Sequence, residues 1–485
     1  MHHIFWFRKD LRITDNHALS QFLKDASSSE SFSFIYIKNE NSYRYYGEKR
    51  INFLYECLEE LKNDLSELSI NLQIFSGKSG DVFKRILDEK NPVTVYVNEQ
   101  VEPYCKERDN AVKELIENSG GRFISFTDST LFNPGDIKNG DGKQYKVFTP
   151  FKNNALSILT KVHYEKKECE FHKSDNWKEF IFAAIPEFKI EDERSELSHS
   201  EFLKGGRKEG LKLLKNFYEN KIHRYKSDRD FPSMNGTSFL SAHLHFGTIG
   251  IREAFRTAKV RFDKIKSEND TKEVETWINE LLWREFYYHI TFHNPQLTYQ
   301  SFKKEYDDLK WNYDETEFCK WCEGKTGYPI VDAGMRQLNT EGWMHNRIRM
   351  IVAMFLTKDL FIDWRLGEKY FAERLIDMDF SSNNGGWQWS ASTGVDAQPY
   401  FRIFNPYLQS KKFDTEGKYI RKYVPELKDL PDNYIHEPNI MSESEQNKYG
   451  VVIGKDYPAP VVDHMVSKSE SIKRFKEILN YDENN

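Results

Sequence analysis

The chain has 485 residues, a length that usually corresponds to two or three domains, each with a substantial core. Hydrophobic residues make up 39% and charged residues 30%, which is typical of a soluble globular protein, and no segment is long and apolar enough to cross a bilayer. The net charge of −6 does not indicate a nucleic-acid-binding protein, although it leaves room for a local basic groove. The amino end, "MHHIFWFRKDLR", predicts a buried first strand and not a signal peptide, so we expect a cytoplasmic protein.

The first part of the chain alternates short β-branched or aromatic runs with segments whose apolar residues recur at helical spacing. The runs lie at residues 4–7, 32–37, 72–77, 93–98 and 122–126. This alternation predicts a doubly wound parallel sheet covered by helices on both faces, with ligands beyond the carboxyl ends of the strands. Neither GxGxxG nor a P-loop follows any of these runs, so neither a standard dinucleotide site nor a P-loop nucleotide site is predicted.

Beyond residue 130 the pattern weakens and then changes. Residues 131–200 are turn-rich and mixed in charge, and they are interpreted as a connector. Helical periodicity dominates from about residue 201 onward. The sequence therefore predicts an α/β domain at 1–130, a connector at 131–200, and an all-α domain at 201–485.

Two motifs follow in chain order within the predicted helical part. In "NGTSFLSAHL", Thr237 or Ser238 can cap the next helix and leave backbone N–H groups for a phosphate, although most such caps serve only their own helix. In "WINELLWREFYYHI", one broad stripe of a helix combines aromatic rings, a carboxylate and a guanidinium; its members are Trp277, Glu280, Trp283, Arg284 and Tyr287. Taken alone, this stripe favours an amphipathic core helix with an internal Glu–Arg pair.

The five cysteines are scattered, which disfavours a disulfide framework. Cys319 and Cys322 form one CxxC, which fits a redox pair or half of a zinc site. Because no second CxxC or HxxxH completes a tetrahedron, the pattern favours two helical thiols and no metal site.

The segment "GWMHNRIRMIVAMF" places Asn346, Arg349 and Met350 on one helix face. A buried arginine requires a carboxylate, and Asp377 of "LIDMDF" is the candidate partner of Arg349. The pair fits a binding pocket or a purely structural ion pair between two helices.

Four tryptophans, Trp311, Trp364, Trp387 and Trp389, lie in the predicted helical part of the chain. Tryptophan is oxidisable, so a spaced series can pass an electron hole to the surface, while core packing explains any one of them. Trp387 and Trp389 should point in different directions, one inward and the other towards a cavity. In "DFSSNNGGWQWSAS", Gly385 and Gly386 are interpreted as a close-approach turn that begins a helix.

Together, the long segments resemble the photolyase/cryptochrome family over nearly the whole chain. The matching stretches include "WFRKDLRITDNHAL", "TSFLS", "WINELLWREFYYH", "GKTGYPIVDAGMRQLNTEGWMHNRIRM" and "DMDFSSNNGGWQWSASTGVDAQPYFRIFNP". The resemblance is closest to bacterial-type (class I) photolyases that repair cyclobutane pyrimidine dimers. It implies a lyase in which excited reduced FAD donates an electron to a flipped-out dimer in UV-damaged DNA. The alternative is a cryptochrome-like blue-light signalling flavoprotein.

The resemblance also implies which residues hold FAD in the helical domain. They are Tyr225, Thr237, Ser238, Leu240, Ser241, Trp277, Glu280, Arg284, Arg349, Asp377, Asp379 and Asn383. Asn383 would face the flavin N5 atom. Trp387 would begin an electron relay that continues through Trp364 to Trp311.

For the substrate, the resemblance implies that Trp283 and Trp389 form apolar walls around the dimer and that Glu280 hydrogen-bonds a thymine edge. The residues expected to border the dimer or its phosphates are Asn346, Arg347, Met350, Arg229, Arg402 and Gln409. Relatives that repair the six-four photoproduct carry two histidines where this chain has Asn346 and Met350, and that reaction needs proton transfer. This difference favours cyclobutane dimers as the substrate.

A second, antenna chromophore is also expected in part of the family. Relatives with a folate antenna use an Asn-Glu pair where this chain has Cys105 and Lys106, and a Cys-Lys pair where it has Thr298 and Tyr299. The sequence thus disfavours folate and leaves open a deazaflavin, a second flavin or no antenna. We expect a monomer that contacts no membrane.

Overall fold

The structure, a computed structural model, describes residues 1–27, 31–39, 43, 45–171, 177–194, 197–198, 200–265 and 267–483. It contains two compact units. Unit 1 comprises Met1–His223 and Ser238–Pro295, and unit 2 comprises Arg224–Thr237 and Gln296–Asn485. The segment interpreted as a connector, 131–200, therefore belongs to unit 1.

Unit 1 contains the predicted parallel sheet. Its strands are β1 (His2–Phe7), β2 (Ser31–Lys38), β3 (Leu72–Ser76), β4 (Val93–Asn98), β5 (Arg122–Phe126) and the two-residue β6 (Lys178–Glu179). The order is β3-β2-β1-β4-β5, every pairing is parallel, and β6 pairs with the beginning of β2. Every residue of β1 and β4 is buried, as expected of central strands covered on both faces. The doubly wound fold is thus confirmed.

The helices lie between the strands and then throughout the rest of the chain. In chain order they are α1 (His17–Ala26), α2 (Glu48–Ser66), α3 (Ser79–Glu89), α4 (Pro103–Asn118), α5 (Phe148–Ile158), α6 (Lys161–Tyr164), α7 (Ile190–Arg194), α8 (Arg207–Asn220), α9 (Tyr225–Asp228), α10 (Ser241–Phe246), α11 (Ile251–Phe262), α12 (Glu268–His293), α13 (Glu315–Glu323), α14 (Pro329–Glu341), α15 (Asn346–Met354), α16 (Trp364–Arg374), α17 (Phe380–Ala391), α18 (Pro406–Phe413), α19 (Lys418–Tyr423), α20 (Asp432–Ile435), α21 (Glu443–Tyr449) and α22 (His464–Glu483). A π-helical turn, Phe355–Asp359, directly follows α15. None of the helices in the described ranges is long and apolar enough to cross a lipid bilayer.

A buried network of charges joins α11 to the sheet within unit 1. Asp128 accepts hydrogen bonds from Arg12 and Arg252, each at 2.5 Å, and Asp15 accepts one from Arg252 at 3.1 Å. Burial raises the free energy of the charged carboxylate, but the two guanidinium groups outweigh it and hold the pKa of Asp128 below its usual range. Arg256 also donates to Asp15, so three guanidinium groups face two carboxylates and keep them ionised inside the protein.

Unit 2 is built around one large apolar core. Its members come mainly from α13 to α17, from the π-helical turn and from residues 419–457, and they include three tryptophans: Trp321, Trp364 and Trp387. Trp321 is fully buried and donates its indole N–H to the carbonyl of Val352 at 3.1 Å. This close-packed core fixes the positions of the helices that carry the cavity-lining side chains of unit 2.

Two local predictions about helix ends are wrong. Gly385 and Gly386 do not begin a helix; they lie inside α17, which begins after Asp379, whose side chain accepts a hydrogen bond from the Ser382 backbone N–H at 2.9 Å. Neither Thr237 nor Ser238 is the cap of α10, because Leu240 occupies that position and supplies no side-chain bond. The α17 helix thus begins five residues before Gly385, and the α10 helix begins three residues after Ser238.

Candidate functional site

A cavity of about 140 Å³ opens in unit 2 beside α15, α16 and α17. It brings together seven of the residues that the sequence nominated for the site. These are Asn346, Arg349, Met350, Asp377, Asp379, Asn383 and Trp387. The remaining lining side chains are mainly apolar, so a small set of polar groups faces an apolar hollow, as in most cofactor and ligand sites.

The ion pair predicted between Arg349 and Asp377 is present in this cavity. The Arg349 Nη2 atom donates to both carboxylate oxygens of Asp377, at 3.0 and 2.8 Å, and its Nε donates to the carbonyl of Met344 at 2.8 Å. The side chain of Asp377 is 3% exposed and that of Arg349 is 26% exposed. The pair therefore anchors a guanidinium whose outer part still reaches the cavity.

Helix α17 supplies the opposite lining. Asp379 caps the helix, and Asn383, one turn later, donates its amide to the carbonyl of Glu368 at 3.2 Å. Gly386 also lines the cavity, and a Cβ placed on it would meet only open space. The missing side chain leaves a flat stretch of backbone against which a planar ring system can lie.

The residue after Asn383 belongs to a hydrogen-bonded series of side-chain amides that the sequence analysis did not predict. Asn384 donates to the carboxylate of Glu368 and to the carbonyl of Leu297, both at 3.0 Å, and Gln388 donates to Asn384 at 2.9 Å. Burial raises the pKa of Glu368 to about 7, although Asn384 opposes this shift. The polar stretch "SSNNGG" makes Asn384 a recognisable candidate for hydrogen bonding. Nothing in the neighbouring sequence indicates that Glu368 is its partner.

Helix α15 begins at Asn346, and Asn346 and Met350 lie one turn apart beside the cavity. His345, the residue before the helix, is buried, and its Nδ1 accepts a hydrogen bond from the Arg347 backbone N–H at 3.1 Å. Burial lowers the pKa of His345 to about 4, so it stays neutral at neutral pH. His345 is therefore a helix cap and not a lining residue of this cavity.

Two of the arginines nominated for DNA contacts, Arg229 and Arg347, are partly buried in unit 2. Arg347 donates to Asp230 at 2.8 Å and packs over the ring of Phe413, and Arg229 lies 4.0 Å from the same carboxylate. Arg402 is exposed, and Gln409 is partly buried in α18. Asp230 offsets part of the charge of Arg229 and Arg347.

The three relay tryptophans differ in burial along unit 2. Trp387 and Trp364 are 2% and 1% exposed, whereas Trp311 is partly exposed. The ring of Trp387 packs directly on Gly367, where any Cβ would lie 2.1 Å from it, and Gly367 is three residues after Trp364 in α16. Trp387 therefore both lines the cavity and reaches the core, so one residue does what the sequence assigned to two.

Trp311 is held beside the segment that leads into Trp364. The next residue, Asn312, donates its backbone N–H to the carbonyl of Phe361 at 2.7 Å and forms a parallel bridge with Ile362. The ring of Trp311 lies 4.9 Å from that of Phe361. This arrangement fits a relay from the cavity to the surface, and the roles of the individual tryptophans stay predictions. Trp389 is partly buried on α17 and is not among the residues that line the cavity.

The other nominated residues are described in their own units. In unit 1, the predicted aromatic stripe forms the middle of α12: Trp277 is buried, Glu280 and Trp283 are partly buried, and Arg284 donates to the hydroxyl of Tyr288 at 2.8 Å. The ring of Trp283 lies parallel to that of Phe148, with centroids 3.8 Å apart. Glu285, which the sequence analysis missed, is buried and accepts the backbone N–H groups of Leu131 and Phe132 at 2.9 and 3.0 Å.

The residues nominated for the flavin phosphates divide between the units. Ser238, Leu240 and Ser241 belong to unit 1, where Ser238 Oγ accepts the Leu240 backbone N–H at 3.4 Å. Tyr225 and Thr237 belong to unit 2, where Tyr225 begins α9 and is 8% exposed. Their common role stays a prediction.

The CxxC thiols and the antenna positions Cys105 and Lys106 lie on helices. Cys319 and Cys322 are free and both lie on α13, as predicted. The described residues contain no cluster that could hold a metal ion. Cys105 is buried on α4, and the ammonium of Lys106 lies 3.7 Å from the ring centre of Phe292.

Comparisons with known proteins match both halves of the chain. A family model described as DNA photolyase covers residues 3–170, and one described as the FAD binding domain of DNA photolyase covers residues 277–477. The deoxyribodipyrimidine photo-lyase of Escherichia coli (strain K12) is 37% identical over 479 residues, which are 98% of each chain.

Solved structures agree with this. The bacterial class III photolyase from Agrobacterium tumefaciens has a TM-score of 0.88 and 35% identity, covering 99% of this chain and 98% of its own. The archaeal photolyase from Sulfolobus tokodaii, solved with two FAD molecules, has a TM-score of 0.81 and 33% identity, covering 98% of this chain and 100% of its own.

Proposed function

Because the chain belongs to the photolyase/cryptochrome family, we propose that it is a light-dependent lyase that splits cyclobutane pyrimidine dimers in DNA with the help of bound FAD. One observation carries this proposal. The cavity of unit 2 joins a polar set suited to a flavin, Arg349, Asp377 and Asn383, to Trp387, the first residue of the proposed relay. A flavin that is reduced through this relay has to lie beside the first tryptophan of the relay.

The residues present fit a flavin. The Arg349 guanidinium, held by Asp377, and the amide of Asn383 offer donors to a ring edge, while Gly386 leaves a flat surface. When bound, FAD supplies light-driven donation of one electron to the dimer and recovers it after the cyclobutane bonds break. The protein binds and orients the reactants.

The neighbouring side chains support a cyclobutane dimer as substrate. Asn346 and Met350 border the cavity and cannot transfer a proton as histidine does, and Met350 suits contact with a thymine methyl group. His345, with its pKa lowered to about 4 by burial, already accepts a backbone hydrogen bond as a helix cap. Repair of a six-four photoproduct requires proton transfer, which the two histidines of such relatives can perform and Asn346 and Met350 cannot.

We assign Arg229, Arg347, Arg402 and Gln409 to the DNA backbone, because contacts to phosphates position a duplex without reading its sequence. Trp283 and Trp389 are assigned to the walls of the dimer pocket, where an aromatic ring replaces the base stacking that a flipped-out lesion loses. Glu280 is assigned to a thymine edge. A deazaflavin or a second flavin stays open as an antenna, and the monomeric state and cytoplasmic location stay predictions.

The test is repair of UV-irradiated oligothymidine by the purified, chemically reduced holoprotein under blue light. We expect thymine absorbance to recover in the light and not in the dark, and we expect an oligonucleotide that carries one six-four photoproduct to stay unchanged. No recovery of the cyclobutane substrate by fully reduced protein would reject repair and favour the signalling alternative. Recovery of both substrates would reject the argument from Asn346 and Met350.

A further inference from the structure

One group of residues in unit 1 is not used by the function proposed above. Residues 137–162 carry Lys138, Lys143, Lys146, Lys152 and Lys161 against a single carboxylate, Asp141, in a chain whose net charge is −6. This imbalance is local, and it occurs in a segment that the sequence analysis treated only as a connector. A concentration of lysines in an acidic protein indicates an anionic partner.

Lys138 and Lys143 belong to a turn whose backbone is held by hydrogen bonds. Lys138 and Gln144 form an antiparallel bridge, and Asn139 Oδ1 accepts the backbone N–H groups of Asp141 and Lys143 at 3.1 and 2.9 Å. Asn294 of unit 1 donates to Gln144 at 2.9 Å and so ties the turn to the end of α12. The backbone that carries the lysines is therefore fixed before a partner binds, which lowers the entropy cost of binding.

The turn borders an open groove, which is lined by Lys138, Lys143, Lys146, Tyr145, Pro150 and His293 among others. Lys138, Lys143 and Lys146 are exposed, and within the described residues neither Lys138 nor Lys143 forms an ion pair. Burial lowers the pKa of His293, and the neighbouring His289, Lys138 and Lys106 lower it further. The groove thus combines positive charge with an aromatic ring, Tyr145.

The same segment touches the proposed lesion pocket through one residue. Phe148, two residues after Lys146, is buried against Trp283 of α12 with the rings 11° from parallel and 3.8 Å apart. One face of the indole is therefore covered by protein and its plane is fixed. Phe286 and Tyr287 contact Trp283 at longer distances, 5.8 and 5.7 Å, and neither stacks on it.

We propose that Lys138–Lys152 forms a DNA-strand surface, in which Lys138, Lys143 and Lys146 bind successive phosphates and Phe148 fixes Trp283 for the base that stacks on it. The proposal rests on the proposed function, since Trp283 is a lesion wall only in a repair enzyme. An acidic protein is the other partner that fits the charge. The stacked Phe148–Trp283 pair favours nucleic acid, because a basic groove with aromatic rings is the usual device for binding single strands.

The first experiment measures the dissociation constant of the holoprotein for dimer-containing and undamaged duplexes at several salt concentrations. Each phosphate contact contributes about 0.9 to the slope of log Kd against log salt. We expect K138Q/K143Q to lower this slope by about 1–2 and to weaken both duplexes by the same factor, because phosphates are read without regard to the lesion. K24Q/K78Q, which removes two exposed lysines elsewhere in unit 1, is the matched control and should leave the slope unchanged.

An unchanged slope in K138Q/K143Q, or an equal change in the control variant, would contradict the proposal that these lysines bind DNA phosphates. Failure of the wild-type protein to prefer the dimer duplex counts instead against the proposed function. A preference for an acidic peptide over both duplexes, lost in K138Q/K143Q, overturns the choice of DNA as partner.

The second experiment separates a positioning role of Phe148 from a merely structural one. F148L keeps apolar volume but removes the flat ring, and F148Y keeps the ring. We expect F148L to lose most of the preference for the dimer duplex while binding undamaged DNA as before, and F148Y to retain the preference. Equal binding changes for both duplexes in F148L, or loss of preference in F148Y with normal circular dichroism, would refute the role.

Discussion

Removal of one partner of the Arg349–Asp377 ion pair tests how the cavity of unit 2 is built. The Asp377 side chain is 3% exposed, so R349M leaves a buried carboxylate without its guanidinium. Such a change costs about 3–5 kcal/mol for a fully buried pair, and the 26% exposure of Arg349 reduces this to about 2–4 kcal/mol. The lost hydrogen bond from Arg349 Nε to Met344 is part of this cost.

The double-mutant cycle isolates the pair. D377N keeps the shape of the side chain and removes the charge, so R349M/D377N no longer buries a lone carboxylate. We expect the double variant to lose about 2 kcal/mol less than the sum of the two single losses. The free energy of unfolding is measured by urea titration, followed by circular dichroism, with every variant in the same excess of FAD.

A second ion pair in unit 2 provides the control. Lys411 and Glu437 lie 3.3 Å apart with side chains that are 46% and 25% exposed, and K411M should cost less than about 1 kcal/mol. Additive losses for R349M and D377N, within about 0.5 kcal/mol, would mean that the two residues do not stabilise each other. The description of the cavity as organised by a buried ion pair would then be wrong.

Three further predictions concern α16 and α17. W387F should slow photoreduction of oxidised flavin while sparing repair by chemically reduced protein, and equal loss of both activities would count against the relay. G367A should disrupt the packing of Trp387, since a Cβ would lie 2.1 Å from the indole. Thermal unfolding should show a large loss of folding stability, and a loss of stability below about 1 kcal/mol would contradict this contact. Burial raises the pKa of Glu368 from 4.5 to about 7, so the folded state loses stability as pH rises through this range, because the unfolded chain ionises first. E368Q should remove about 1–3 kcal/mol of that pH dependence, and parallel stability–pH curves for the two proteins would refute the assignment.

The long helical patterns predicted much of the site. The stripe from Trp277 to Tyr287 lies on one helix, and this inference rested on local residue spacing. Arg349 pairs with Asp377, and this inference rested on the high cost of burying an unpaired charge. The double glycine was misread for the opposite reason. A Gly-Gly pair favours a turn locally, but the Asp379 cap and the packing of Trp387 on Gly367 keep α17 helical through it.

Contacts between residues far apart in the sequence could not be predicted. Phe148 stacks on Trp283 across 134 intervening residues, and Glu285 binds the backbone of residues 131 and 132. The letters around Phe148 show an ordinary helix start, and those around Glu285 show one of several acidic residues on a helix. The contacts of these two side chains become apparent only from the packing of α5 and the connector on α12.

The central claim is that the cavity beside α15, α16 and α17 holds the flavin that drives repair. A crystal structure of the purified protein with its native cofactor measures this directly. We expect isoalloxazine density within contact distance of Asn383, Gly386 and the Arg349–Asp377 pair. A flavin bound elsewhere, with this cavity filled by protein side chains, would contradict the claim.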